Sequence, residues 1–184
     1  MSAEDRPIVV IGIGNVLLRD DGVGVEIVRS LERLVDRGAV ELPPGTRLLD
    51  GGTLGLGLLP VVSEARAIVL VDAVDLGRVP GSVVVVDDDT LRHAPAGPLQ
   101  AGRDGLGDLL MAARLMSAGP DAMVLVGVQP SEIDTGLGLT EVMRAAVPAA
   151  VQATIRELER LGAAAAWAGP AVRGIDDAEA AGCD

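Results

Sequence analysis

The stretch Ile8 to Gly24, IVVIGIGNVLLRDDGVG, constrains the fold of this chain more than any other. Ile8-Val9-Val10-Ile11 reads as a short buried strand, Gly12 and Gly14 as close-approach positions after it, and Val23 onward as a helix. Between them stand two adjacent carboxylates, Asp20 and Asp21. Chemistry is expected at that turn.

A strand, a glycine-rich turn and a helix are also the parts of a dinucleotide-binding cradle, so that reading is tested first. The spacing fails, because the position of the third glycine holds Leu17 and the helix starts too late. Charge fails as well: two carboxylates at the mouth of the turn would repel a pyrophosphate, which needs bare N–H groups at a positive helix end. A cation or a polarised substrate suits the turn better. One of the two acids can serve as the N-cap of the helix. Two adjacent acids need only one cap.

The chain has 184 residues, enough for one domain with a real core. It contains no Phe, no Tyr and one Trp, so the core must be aliphatic, which favours an α/β protein. A formal charge of −12 argues against a nucleic-acid partner or an anionic membrane. The one cysteine, Cys183, is next to last, which leaves no disulfide framework and no Cys-based metal site. The polar, acidic N-terminus does not have the order of a secretory signal, and the apolar runs fall far short of the roughly 20 residues of a membrane span. A cytoplasmic location is the expectation.

Strand and helix signals alternate. Val23, Ile27, Val28, Leu31, Leu34 and Val35 recur at helical spacing up to Gly38. Strands are predicted near Thr46 to Leu49, Ala67 to Val71, Ser82 to Val86 and Met123 to Val128, and helices over Leu56 to Leu59, Leu106 to Met116 and from a Thr140 cap to about Leu161, bent at Pro148. The order predicts an α/β fold: a three-layer α/β/α sandwich with a twisted, mostly parallel sheet of about five strands. Residues 1–162 form the single domain in this reading, and the Ala/Gly-rich segment 163–184 a weakly ordered tail.

Ligands of open α/β sheets bind beyond the carboxyl ends of the strands. Asp20 and Asp21, Asp50 and Asp72 all follow predicted strands and can reach that edge. Asp50, in Asp-Gly-Gly, also reads as a turn residue bonded to its own backbone. Asp72 closes the buried run Ile68-Val69-Leu70-Val71, where an acid without partners would be costly.

Five blocks in order resemble the [NiFe]-hydrogenase maturation endopeptidases, which remove a C-terminal peptide from the hydrogenase large-subunit precursor after nickel insertion. They are GIGNVLLRDDGVG from Gly12, DGGTLGLGLL from Asp50, VDAVD from Val71 with PGSV after it, GLGDLL from Gly105 and LVGVQPSEIDTGLGLT from Leu125. The resemblance implies a twisted sheet between helices, and an acid, an Asp and a His that contact nickel carried by the substrate. Matched by position, the acids are Asp21 and Asp72, which are the implied catalytic and metal-contacting residues. Asn15, Asp20 and the turn Asp50, Gly51, Gly52 and Thr53 fall along the implied substrate cleft. The His position holds Gly102 and the Gln that follows it in the family holds Arg103, so the expected imidazole is missing. The sole histidine, His93, lies nine residues earlier, either as a solvated loop residue or as a stand-in ligand folded back by the Pro/Ala/Gly-rich segment after it.

Two carboxylates alone make a hard oxygen site, whereas imidazole favours nickel or zinc. Nickel already held by thiolates of the precursor would need only its coordination completed, with Gln100, Asp104 or a water assisting Asp21 and Asp72. The expected cofactor is therefore nickel supplied by the precursor, and the expected partner is that precursor. The alternatives are a catalytically inactive protease-like docking or chaperone protein for the same precursor, and an unrelated divalent-metal enzyme on the same scaffold.

Overall fold

The structure, a computed structural model, describes residues 6–93, 106–115 and 119–163. Five strands, β1 (Ile8–Ile13), β2 (Thr46–Gly52), β3 (Ala67–Ala73), β4 (Val83–Val86) and β5 (Ala122–Val128), form one sheet in the order β2-β1-β3-β5-β4. The first three pairings are parallel, and β4 closes one edge antiparallel to β5. The helices are α1 (Val23–Asp36), α2 (Leu59–Glu64), α3 (Asp88–His93), α4 (Leu106–Leu115) and α5 (Glu141–Ala163), with 3-10 turns at Arg19–Gly22 and Gly55–Leu58.

The three layers follow from side-chain alternation in the central strands, whose residues are buried on both sides. Ile8, Val10, Val69, Val71 and Val126 face α1 and α5, while Val9, Ile11, Ile68, Leu70 and Leu125 face Leu58, Val62, Leu91 and Leu109 of the opposite layer. Val23, Ile27, Val28 and Leu31 of α1 are buried against the first face, each contributing about 1.5–3 kcal/mol. The helix ends where the sequence stops it. Gly38, at φ +64°, donates to the Val35 carbonyl and Ala39 donates to that of Leu34, the paired bonds of a Schellman cap.

The helix expected over Leu56 to Leu59 is a 3-10 turn that continues into α2 to Glu64, and boundaries next to the site differ as well. β2 runs on through Asp50, Gly51 and Gly52, because the lack of a Cβ at Gly51 lets that backbone lie against β1; a Cβ there would sit 2.7 Å from the Ile11 side chain. β3 continues through Asp72 to Ala73, paired with Gly127 and Val128, so Asp72 is a strand residue rather than the loop residue after it. Neither Asp20 nor Asp21 caps α1: Gly22 is the N-cap and makes no side-chain cap bond, since the 3-10 turn carries both carboxylates elsewhere. Thr140 does cap α5, its Oγ1 accepting the Met143 N–H at 3.3 Å, and α5 continues through Pro148.

β1 and β3 are neighbours whose connections leave in opposite directions, β1 towards β2 and β3 towards β4 and β5. This is the switch point where open α/β sheets form a crevice. The first turn of α1 sits directly on it: a Cβ at Gly24 would meet the carbonyl oxygens of Val71 at 2.2 Å and Ile13 at 2.3 Å. Both obstacles are backbone and cannot rotate away. Gly24→Ala is expected to destabilise the protein by about 3 kcal/mol or more, read as a lower denaturation midpoint, whereas Gly38→Ala, with nothing within 4 Å, carries only the left-handed backbone strain of about 1–2 kcal/mol.

Candidate active site

The site begins with the two adjacent acids, which do different work. Asp20 is fully buried, and its carboxylate accepts four hydrogen bonds from the segment between β5 and α5. Oδ2 takes the Ser131 and Glu132 N–H groups, each at 3.0 Å, and the Thr140 hydroxyl at 3.0 Å; Oδ1 takes the Thr140 N–H at 2.7 Å. Backbone bonds tie the same two segments together, with Gly136 donating to Leu17, Arg19 donating to Gly136, and a parallel bridge between Leu18 and Gly136. Asp20 is therefore a clamp within the protein, its carboxylate turned to the segment before α5. A buried carboxylate is tolerated when hydrogen bonds replace its water.

Asp21 is 1% exposed, and its Oδ2 accepts the Asn15 N–H at 2.8 Å. Asn15 in turn accepts the Leu17 N–H on its side-chain oxygen at 3.0 Å, holding the loop that covers Asp21. Gly14 makes the tight turn possible: its φ is +129°, and a Cβ there would lie 1.8 Å from the Asp21 carbonyl. Asp72 is 7% exposed, with Oδ1 accepting the Ala73 N–H at 2.7 Å. The 3-10 turn that carries Asp21 packs on β3, the strand that carries Asp72 one residue from its end.

Beyond Asp72, the chain enters the β3–β4 connection, which Gln129 organises. Its Oε1 accepts the Leu76 and Arg78 N–H groups, and its Nε2 donates to Asp75 Oδ1 at 3.1 Å. That bond and the Gly77 N–H hold the Asp75 carboxyl below its ordinary value of 3.8.

Of the other expected site residues, Gly52 lies against the Gly14 turn beside Asp21, whereas Asp50 is turned away from Asp72. Asp50 lies on the α1 side of β2 and forms an ion pair with Arg29 at 2.9 Å, so it is neither a self-bonded turn nor a neighbour of Asp72, which points to the opposite face. Gly51 and Gly52 are β2 residues against β1, where the Gly52 carbonyl accepts the Gly14 N–H at 3.0 Å, and Thr53 is exposed after them. His93 ends α3 rather than lying in a loop. That helix starts at the far edge of the sheet, where Asp88 accepts the Met123 N–H, and spans only about 8 Å at 1.5 Å per residue. The His93 side chain, Gln100, Gly102, Arg103, Asp104 and the expected tail fall outside what the structure describes. Among the described residues, no group of three His, Cys, Asp or Glu is arranged to hold a metal.

Residues 25–157 match the family model of the hydrogenase maturation proteases. The chain belongs to this family. It is 41% identical over 157 residues to the hydrogenase expression/formation protein HupD of Rhodobacter capsulatus, covering 84% of this chain and 72% of that protein. To the hydrogenase 2 maturation protease of Escherichia coli it is 31% identical, covering 84% and 92%. The structure of the maturating endopeptidase HybD from E. coli superposes with a TM-score of 0.74 over 85% of this chain and 94% of that one, at 31% identity. The family makes this chain a peptidase of hydrogenase maturation on a five-stranded, mostly parallel α/β scaffold, as the sequence resemblance implied.

Sequence reasoning missed the clamp. DD offered one cap and one functional acid, but the partners of Asp20 lie more than a hundred residues away. Asp20→Ala is expected to strand three backbone N–H groups and cost about 3 kcal/mol or more, with faster amide hydrogen exchange across residues 131–140, whereas Asp21→Asn keeps an oxygen for the Asn15 N–H and shifts stability by under about 1 kcal/mol.

Proposed function

We propose that the protein removes a C-terminal peptide from the nickel-loaded large-subunit precursor of a [NiFe] hydrogenase, with Asp21 and Asp72 contacting the nickel that the precursor carries. What supports this reading is that two buried carboxylates, Asp21 and Asp72, lie on elements packed against each other, the 3-10 turn before α1 and the end of β3. Nickel here is part of the substrate. The precursor's own soft ligands hold it, so the peptidase needs to supply only hard oxygen donors, and a carboxylate pair supplies those.

The same pair accounts for the requirement that nickel be present before cleavage. A divalent cation brought by the substrate and contacted by both carboxylates draws the C-terminal segment into register. The cation can then polarise the scissile carbonyl or a water for attack. Asp21 is held by the Asn15 N–H and Asp72 by the Ala73 N–H, so each keeps its carboxylate oriented before substrate arrives. The backbone around them is fixed by the close packing of Gly24 on β1 and β3.

The protein, incubated with its nickel-loaded precursor, is expected to release a C-terminal peptide, read as a mass loss by mass spectrometry. Asp21→Asn and Asp72→Asn are each expected to fold and to slow release by a factor on the order of 10³ or more. Full processing by both variants would overturn the role of the pair. Binding without cleavage by the unaltered protein would favour the docking or chaperone reading instead.

A further inference from the structure

A groove of about 590 Å³ opens between α1 and α5, beginning at Gly22 beside Asp21. Its lining runs against the character of the chain. In a protein of net charge −12, three guanidinium groups, those of Arg19, Arg29 and Arg144, border this one space together with a single carboxylate, Glu26. Glu26 is engaged on its other side by Arg33 at 2.6 Å.

None of the three arginines is held in a buried ion pair. Arg144 donates to the Leu139 carbonyl and, among the described residues, forms no ion pair. Arg29 pairs with Asp50 in an arrangement in which both side chains are about half exposed, and such a pair exchanges readily for another carboxylate. Arg19 is the one described non-glycine residue with positive φ, +49°, and Gly136 leaves room for its guanidinium: a Cβ there would lie 3.0 Å from Nε. The clamp around Asp20 fixes both segments, and with them the aim of Arg19, whose nearest carboxylate is Glu132 at 3.4 Å. The remaining wall is aliphatic. Leu137, 79% exposed, and Val16, 40% exposed, stand at the rim uncovered by the described residues.

We propose that this groove docks a segment of the precursor that carries carboxylate side chains next to aliphatic ones, so that the substrate is gripped beside the carboxylate pair as well as at it. The proposal rests on the processing reading above and names the chemistry of the part of the substrate that the groove receives. Planar guanidinium groups recognise carboxylates in a two-pronged geometry, and the exposed aliphatic rim takes the neighbouring side chains. A nucleic acid, with its dense phosphate charge, would meet the repulsive field of the whole acidic chain, whereas a few peptide carboxylates engage the groove locally.

The test is steady-state processing of the nickel-loaded precursor by the unaltered protein and by Leu137→Glu, Leu137→Lys and Arg144→Ala, with thermal melts to confirm folding. Leu137 is exposed, so its replacement leaves the core intact. Leu137→Glu and Arg144→Ala are expected to raise KM about tenfold with kcat unchanged, and Leu137→Lys, which trades the aliphatic contact for a cation, to raise it several-fold less than Leu137→Glu. Unchanged KM in Leu137→Glu, or an equal rise for Glu and Lys, would overturn the proposal. If the unaltered protein processes nothing, the processing reading fails. Dissociation constants of the same variants for the unprocessed precursor then decide the groove: the same Glu/Lys asymmetry upholds it, and its absence overturns it.

Discussion

One buried carboxylate organises the working edge of this protein. Asp20 accepts hydrogen bonds from Ser131, Glu132 and Thr140, and so joins the loop after β1 to the loop before α5. Removed from water, the charge is stable only where polar hydrogens replace it, so both loops are held to a single arrangement. Thr140 serves twice, closing the clamp and capping α5. The strained backbone of Arg19 and the wall formed by Leu137 and Leu139 persist because the clamp holds them.

From that constraint follows a division of labour between neighbours in sequence. Asp20 turns into the protein and is saturated; Asp21 sits one residue on, held through one oxygen by the Asn15 N–H at the crevice between β1 and β3. Glycines make this compact. Gly14 and Gly24 replace side chains with backbone contact, so the 3-10 turn that carries Asp21 lies against Gly14 and the first turn of α1 lies on the ends of β1 and β3. The same elements that fail as a dinucleotide cradle, a strand, two glycines and a helix, thus serve to present carboxylates rather than to receive phosphates.

Much of the fold was legible because its signals are local. The aliphatic runs from Ile8, Ala67 and Met123 are strands buried on both faces, and Gly38 and Thr140 end and begin helices as their chemistry dictates. What escaped depends on distant partners. The extension of β3 through Asp72 needs Gly127 and Val128 beside it, and the extension of β2 needs a glycine that fits against Ile11. The pairing of Asp50 with Arg29 requires knowing which face of β2 meets α1. Likewise, no spacing rule separates Asp20 from Asp21, and Arg19, Arg29 and Arg144 gather round one groove only after α1 and α5 pack together.

In the proposed function the peptidase adds the carboxylate oxygens of Asp21 and Asp72 to nickel that the substrate already holds. X-ray absorption at the nickel edge, recorded on the loaded precursor alone and freeze-quenched after mixing with the protein, tests it most directly. The account predicts that mixing adds oxygen ligands to the nickel before the peptide is released, and that the change is lost with Asp21→Asn. A nickel spectrum that stays the same while cleavage proceeds would contradict it.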